Sequence, residues 1–224
     1  MAQTDLLILV ASRGRPHNAV ELEQAFVDTK TEAKRFYIVD FSDETRSEYA
    51  RKLPLESVIM VHNTTGGMAY PLNHEVRQHI GQFDAFAWMG DDHRPRTLNW
   101  DRRYVDEIYS GSEIVYGNDL LQGEGLPTQC AVSNEVVEAV NGFFPNNLRH
   151  LYLDNFLLQL GKDLNKIKYL PDVIVEHCHP YAGKAPMDEG YARVNAAEVY
   201  SADKIEYDRF MASSDYQDIL AKLR

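Results

Sequence analysis

Residues 84–95 read DAFAWMGDDHRP. Phe86, Ala87, Trp88 and Met89 form an uncharged run that suits a buried strand. The run meets Gly90 and then Asp91, Asp92 and His93. Adjacent carboxylates repel each other, and a metal-capable imidazole stands beside them. The segment is either a solvated polar turn or the place where a cation sits.

The same design recurs on the N-terminal side. LLILVAS (6–12) is an apolar run closed by Arg13, Gly14, Arg15 and Pro16, RFYIVD (35–40) ends in an acid, and SVIMVHN (57–63) is a third strand. Between them, AVELEQAFVDT and SDETRSEYARKL carry helical spacing, with Asn18 and Ser42 as the expected caps. TTGGMAYPLN (64–73) reads as a glycine-containing loop and HEVRQHIGQ as the helix after it. Strand and helix alternate, which predicts an α/β fold with a mostly parallel sheet and helices on both faces. In such sheets ligands bind at the carboxyl ends of the strands. Those ends carry Ser12 and Arg13, Asp40, His62 and Asn63, and Asp91 and Asp92.

The second half is more mixed. NWDRRYVDEIYSG predicts a helix, EIVYGND (113–119) a strand, and LPTQCAVSNEVVEAVNGFFP (126–145) a strand, a helix capped by Ser133 and a stop at Gly142. LYLDNFLLQLGKDL (151–164) is an amphipathic helix with Leu151, Leu153, Phe156, Leu157 and Leu160 inward. IKYLPDVIVEHCHP (167–180) is a strand closed by His177, Cys178 and His179. The remainder joins a Gly/Pro loop to charged, tyrosine-rich helical stretches.

Bulk properties narrow the function. A chain of 224 residues with 44% hydrophobic content suits one soluble domain. No apolar run reaches the roughly 18–20 residues of a membrane span. MAQTDLLILVASRGRP lacks a basic leader and reads as a first strand. Cys130 and Cys178 have no CxxC spacing, so a reducing cytoplasm is the expected setting. The net charge of −11 argues against long-range attraction to nucleic acid or anionic membrane, although RPRTLNWDRR (94–103) is locally basic.

Taken in order, the strand ends, the Gly-Gly segment, GDDHRP, NGFFP, LDN and HCHPYAGKAPMDEGY resemble a GT-A-type nucleotide-sugar glycosyltransferase over roughly residues 5–190. Within that class the chain is similar to small bacteriophage-encoded glycosyltransferases. The resemblance implies a GT-A domain over residues 1–190, with 191–224 as a C-terminal helical extension of it. It implies a nucleotide-sugar donor, expected to be a UDP-sugar, with Mn²⁺ or Mg²⁺. The acceptor is left open among a protein, a glycan and a modified DNA base. Oligomeric state is not legible.

The physical case runs beside the resemblance. A diphosphate leaving group develops negative charge, and a divalent cation held by strand-end carboxylates neutralises it. The family's Asp-x-Asp corresponds either to Gly90-Asp91-Asp92 or to Asp91-Asp92-His93. The first makes Asp92 the metal ligand and Asp91 a ribose or metal contact; the second adds His93. His177 and His179 share one face if the strand continues. The family's late histidine completes the metal site, which favours His179, with Lys184 as the phosphate contact. Ser12, Arg13 and Arg15 would lie along the nucleotide, Asp40 would read base or ribose, and Gly66 and Gly67 would lie near the diphosphate; Asn73 is a weaker candidate. Asp154 stands in an apolar helix where inverting members carry a general base, whereas retaining members need none. Trp100 is the aromatic expected to face an acceptor. Competing readings are a nucleotidyltransferase, whose GxGTR-like loop ASRGRP does not match, and a binding module without turnover.

Overall fold

The computed structural model describes residues 5–65 and 67–224. Four parallel strands form one half of the sheet: β1 (Leu6–Ser12), β2 (Lys34–Asp40), β3 (Val58–Val61) and β4 (Ala85–Gly90). β5 (His93–Pro95), β6 (Ile114–Asn118), β7 (Cys130–Ser133) and β8 (Ile167–His177) complete it in the order β3-β2-β1-β4-β7-β6-β8-β5. β7 runs antiparallel to both β4 and β6, and β5 antiparallel to β8, whereas β6 and β8 are parallel. The fold is therefore α/β with a mixed, mostly parallel sheet.

β1 is buried on both faces, which is why its sequence is a continuous apolar run rather than an alternating one. Leu7 and Leu9 join Phe86 and Trp88 on one face, against α3 (Ala69–Val76), α5 (Asn134–Val140) and α6 (Leu153–Leu164). Leu6, Ile8 and Val10 join Ala85, Ala87 and Met89 on the other, against α1 (Pro16–Asp28), α2 (Arg46–Lys52) and α4 (Trp100–Tyr109). Side chains alternate across a strand, so each helical layer receives every second residue.

Several boundaries differ from those the sequence predicts. α1 starts at Pro16, which needs no N–H partner in a first turn, so Asn18 is inside the helix rather than its cap. α2 starts at Arg46, where Asp43 accepts the N–H of Thr45; Ser42 instead accepts a hydrogen bond from Arg13. α3 begins at Ala69, inside the expected loop, and its last residue is Val76. Asn73 fixes it from within, donating to Phe144 O and accepting from Phe143 N and Phe144 N. Ser133 caps α5 as expected, accepting from Val136 N. Trp100 is fully buried, stacked on Phe26 with its indole donating to Thr31, so it is a core residue and faces no acceptor.

After β8 the chain forms α7 (Glu189–Val194), α8 (Ala197–Met211) and α9 (Ser214–Leu223). Tyr216, Ile219, Leu220 and Leu223 of α9 enter the same core as Phe156 and Leu160. Among the described residues no helix is long and apolar enough to cross a membrane.

Candidate functional site

Parallel register brings the strand ends together. Ala11 pairs with Gly90, so Ser12 and Asp91 leave the sheet side by side. Ser12 Oγ donates to Asp91 Oδ2 at 2.5 Å and shares a 2.8 Å contact with the Tyr49 hydroxyl. Asn18 Nδ2 reaches Asp91 Oδ1 at 3.4 Å, and Arg15 Nη1 lies 3.6 Å from it. Burial, followed by the charge of Asp92, nevertheless pushes Asp91 up to about 6.

Asp92 turns the other way, toward the short antiparallel pair. β5 sets His93 directly opposite His177 of β8, and the two rings stack with centroids 4.2 Å apart. His93 Nδ1 lies 3.3 Å from Asp92 Oδ1, and His177 Nε2 lies 3.4 Å from Asp92 Oδ2. Tyr191, from α7, donates its hydroxyl to Asp92 Oδ2 at 2.6 Å. Burial opposes the Asp92 charge, but His177 and His93 outweigh it and hold the carboxyl well below its usual range. Burial and the neighbouring His177 lower His93; at His177 burial is outweighed by Asp92 and Asp119, and its value rises. Gly90 makes this geometry available: a Cβ there would stand 2.7 Å from Asp92 Oδ1.

One carboxylate and two imidazoles thus converge, with ligand atoms within 4.8 Å of one another. Buried acid beside paired histidines is a donor set that fits a divalent transition metal, and imidazole favours Mn²⁺ over Mg²⁺. Asp92, His93 and His177 are the residues that could hold it.

These groups line a cleft of about 380 Å³. At one wall Arg13 Nη1 pairs with Asp40 Oδ2 at 3.1 Å. Asp154, in the first turn of α6, lines the same cleft, and its burial pushes its carboxyl up to about 6. Tyr152 precedes the helix at φ 63°, an unusual conformation for an aromatic residue, and stacks on Tyr207 at 5.4 Å. Tyr152 and Tyr200 both line the cleft.

The structure brings Ser12, Arg13, Arg15, Asp40, Gly67, Asp91, Asp92, His93, Asp154, His177 and His179 to one cleft. Gly66 lies outside the described residues. Gly67 is required by packing: a Cβ would meet Arg149 O at 2.0 Å. His179, the histidine favoured by the resemblance, sits beside the cluster rather than in it, with its Nδ1 accepting from Tyr181 N at 3.2 Å. The last strand pairing places His177 opposite His93, and β8 ends there, before His179. Lys184 is not at the cleft; its Nζ pairs with Glu176 at 2.8 Å, which also binds Arg96. Arg15 is engaged by Asp188 through two hydrogen bonds of 2.8 and 3.0 Å, and its guanidinium lies 3.8 Å from the Tyr191 ring centroid. Nothing in the sequence assigns a site role to Asn18 or Thr128, and Asp188 and Tyr191 close the stretch HCHPYAGKAPMDEGY without a role of their own. Asp119 does carry a signal: it follows β6 directly, as Asp91 follows β4, and Asp40 closes β2.

Most of the chain superposes on known structures. Residues 1–349 of S. aureus TarS in complex with UDP-GlcNAc match over 97% of this chain and 71% of that one, with TM-score 0.61 and 14% identity. A protein of Desulfovibrio desulfuricans G20 assigned to the nucleotide-diphospho-sugar transferases matches over 91% and 98%, with TM-score 0.54 and 11% identity. The chain shares its fold with these structures. A longer TarS structure, of which this chain spans 42%, matches with TM-score 0.60 and 15% identity. No protein-family model and no curated protein matches the sequence.

Proposed function

We propose that the chain is a metal-dependent glycosyltransferase that takes a sugar from a UDP-sugar. The observation that carries this reading is the Asp92–His93–His177 cluster, placed in the same cleft as Asp154 on a fold shared with a UDP-GlcNAc complex. Asp92, His93 and His177 would hold Mn²⁺, which would supply Lewis-acid neutralisation of the departing diphosphate. Arg13 and Asp40 face the nucleoside, and Ser12 with Asn18 keeps Asp91 in place beside it. Arg15 pairs with the Asp91 carboxylate and stands ready to exchange Asp188 for a phosphate oxygen, a bidentate partner of the same geometry.

Asp154 accepts the proton of the acceptor hydroxyl. The acceptor oxygen bonds to the anomeric carbon, the carbon–diphosphate bond breaks, and its electron pair leaves with the nucleoside diphosphate. Attack opposite the leaving group inverts the anomeric centre. A carboxyl near 6 is ionised at neutral pH yet more basic than an ordinary aspartate, which suits that task. Tyr152 and Tyr200 flank Asp154 and form the acceptor wall. The acidic chain favours a protein or glycan hydroxyl over a DNA base.

Calorimetry and thermal unfolding with nucleoside diphosphates and nucleotide sugars, with and without Mn²⁺, test the reading. Ligand at about 100 times Kd should stabilise the wild type by roughly 2.7 kcal/mol. The response should require Mn²⁺, favour UDP derivatives and vanish in Asp92→Ala. Indifference to every nucleotide, with and without metal, would sink it.

A further inference from the structure

β6 ends at Asn118, and the next residue is a nearly inaccessible carboxylate, Asp119, 1% exposed. Its two oxygens are used differently. Oδ1 accepts three backbone N–H groups, from Leu121, Gln122 and Gly123, at 2.9, 2.7 and 2.9 Å. Three donors on one oxygen fix the rotation of the carboxylate. Oδ2 accepts the Thr128 hydroxyl at 2.8 Å and lies 3.9 Å from His177 Nδ1. The backbone locks the pair in register, because His177 N donates to Asp119 O at 2.9 Å. His177 Nδ1 is itself buried and has no hydrogen-bond partner among the described residues. A buried ring nitrogen left unpaired is unfavourable, and Asp119 is the carboxylate on that side of the ring. The other ring nitrogen, Nε2, faces Asp92 Oδ2 at 3.4 Å.

We propose that Asp119 is a positioning residue that holds the neutral His177 ring with its proton on Nδ1, leaving the Nε2 lone pair free for a cation at Asp92. The proposal rests on the transferase reading above, because without a cation Nε2, 3.4 Å from Asp92 Oδ2, is the ring nitrogen nearer a carboxylate. Closing 3.9 Å to a hydrogen bond takes a ring movement of about 1 Å. A ligating imidazole whose second nitrogen donates to a carboxylate is both oriented and made more basic. Asp119 touches neither donor nor acceptor and acts only through His177.

Asp119→Asn separates this role from a structural one. The amide oxygen takes over the three N–H groups, so the amide nitrogen must replace Oδ2. It can only donate, so it forces His177 Nδ1 to accept and moves the ring proton to Nε2. ¹⁵N chemical shifts of the His177 ring, recorded above its titration in metal-free and Mg²⁺-saturated protein, read the tautomer directly. Calorimetric titration with Mn²⁺ reads affinity. Expected is an Nδ1–H ring in the wild type, an Nε2–H ring in Asp119→Asn, and Mn²⁺ binding about 10–100-fold weaker in the variant with its melting temperature retained. An Nε2–H ring in the Mg²⁺-saturated wild type overturns the proposal, and that measurement needs no variant. A ring unmoved by Asp119→Asn, or Mn²⁺ affinity unchanged by it, overturns it as well. A wild type that carries Nδ1–H but binds no Mn²⁺ supports the positioning role and removes the cation reading alone.

Discussion

The parallel strands β1–β4 and the antiparallel corner where β5 meets β8 are held by different physics. In the first region the register is set by apolar residues on both faces of the sheet, and Leu6 to Val10 are fully buried. In the second, three residues of β5 pair with β8, and what meets there is Asp92, His93 and His177. One region gains its stability from burial; the other places charged and ionisable groups where burial is unfavourable. Asp91 and Asp92 stand at the seam and show the contrast within one dipeptide. Asp91 faces the parallel side, among Ser12, Asn18 and Arg15, and is pushed up to about 6. Asp92 faces the histidines and is held well below its usual range. Scaffold and site are therefore separable, and variants can show it.

The largest separation should come from Asp154→Asn. The turnover number should fall by about 10²–10⁴, because the acceptor proton loses its base. In the wild type the rate should rise with pH through about 6, where Asp154 ionises. The stability effect has the opposite sign. A carboxyl whose folded value lies above its unfolded one binds more protons in the native state, so stability falls as pH rises from about 4 to about 6. Asp154→Asn removes that share and should raise stability at pH 7 by up to about 3 kcal/mol, read by urea denaturation. An activity loss accompanied by destabilisation would contradict the assignment.

Leu9→Ala probes the other region. A cavity between Trp88 and α3 should lower stability by about 2–5 kcal/mol while KM for the donor stays within a factor of about two. A changed KM at full folding would show that scaffold and site are coupled. Gly90→Ala sits at the seam. Its Cβ displaces the Asp92 carboxylate, and Mn²⁺ affinity measured by calorimetry should drop by about tenfold with little change in melting temperature. The smallest effect belongs to Lys184→Ala. The Lys184–Glu176 pair is close to the surface, so stability should change by less than about 1 kcal/mol and donor binding should not change. A clear rise in donor KM would return Lys184 to the phosphate.

Much of the scaffold was legible because its causes are local. The runs 6–12, 35–40 and 57–63 announced β1–β3 through continuous apolarity, and Ser133 announced its own helix cap. The strand-end rule pointed to Ser12, Arg13, Asp40, Asn63, Asp91 and Asp92, which line the cleft, and to His62, which instead stacks on Phe41. It applied equally to Asp119. The start of α3 was not legible, since the side chain that holds it, Asn73, is satisfied by Phe143 and Phe144, some 70 residues away. Trp100 misled because an aromatic flanked by polar residues looks exposed, whereas here Asn99 precedes α4 and Asp101 is itself buried, accepting the N–H groups of Glu32 and Ala33.

The sequence by itself determined an α/β chain, a sheet edge furnished with acids, and an acid in the first turn of α6. Those follow from periodicity and from the rule that polar groups gather where buried strands end. Only the tertiary structure grouped His177 rather than His179 with Asp92 and His93, turned Lys184 to Glu176, and carried Tyr191 to Asp92 across 99 residues. The reason is the range of the interactions. Apolar patterning is written in neighbouring residues, but a cluster of ionisable groups is fixed by strand register and by partners that meet only after the sheet has closed.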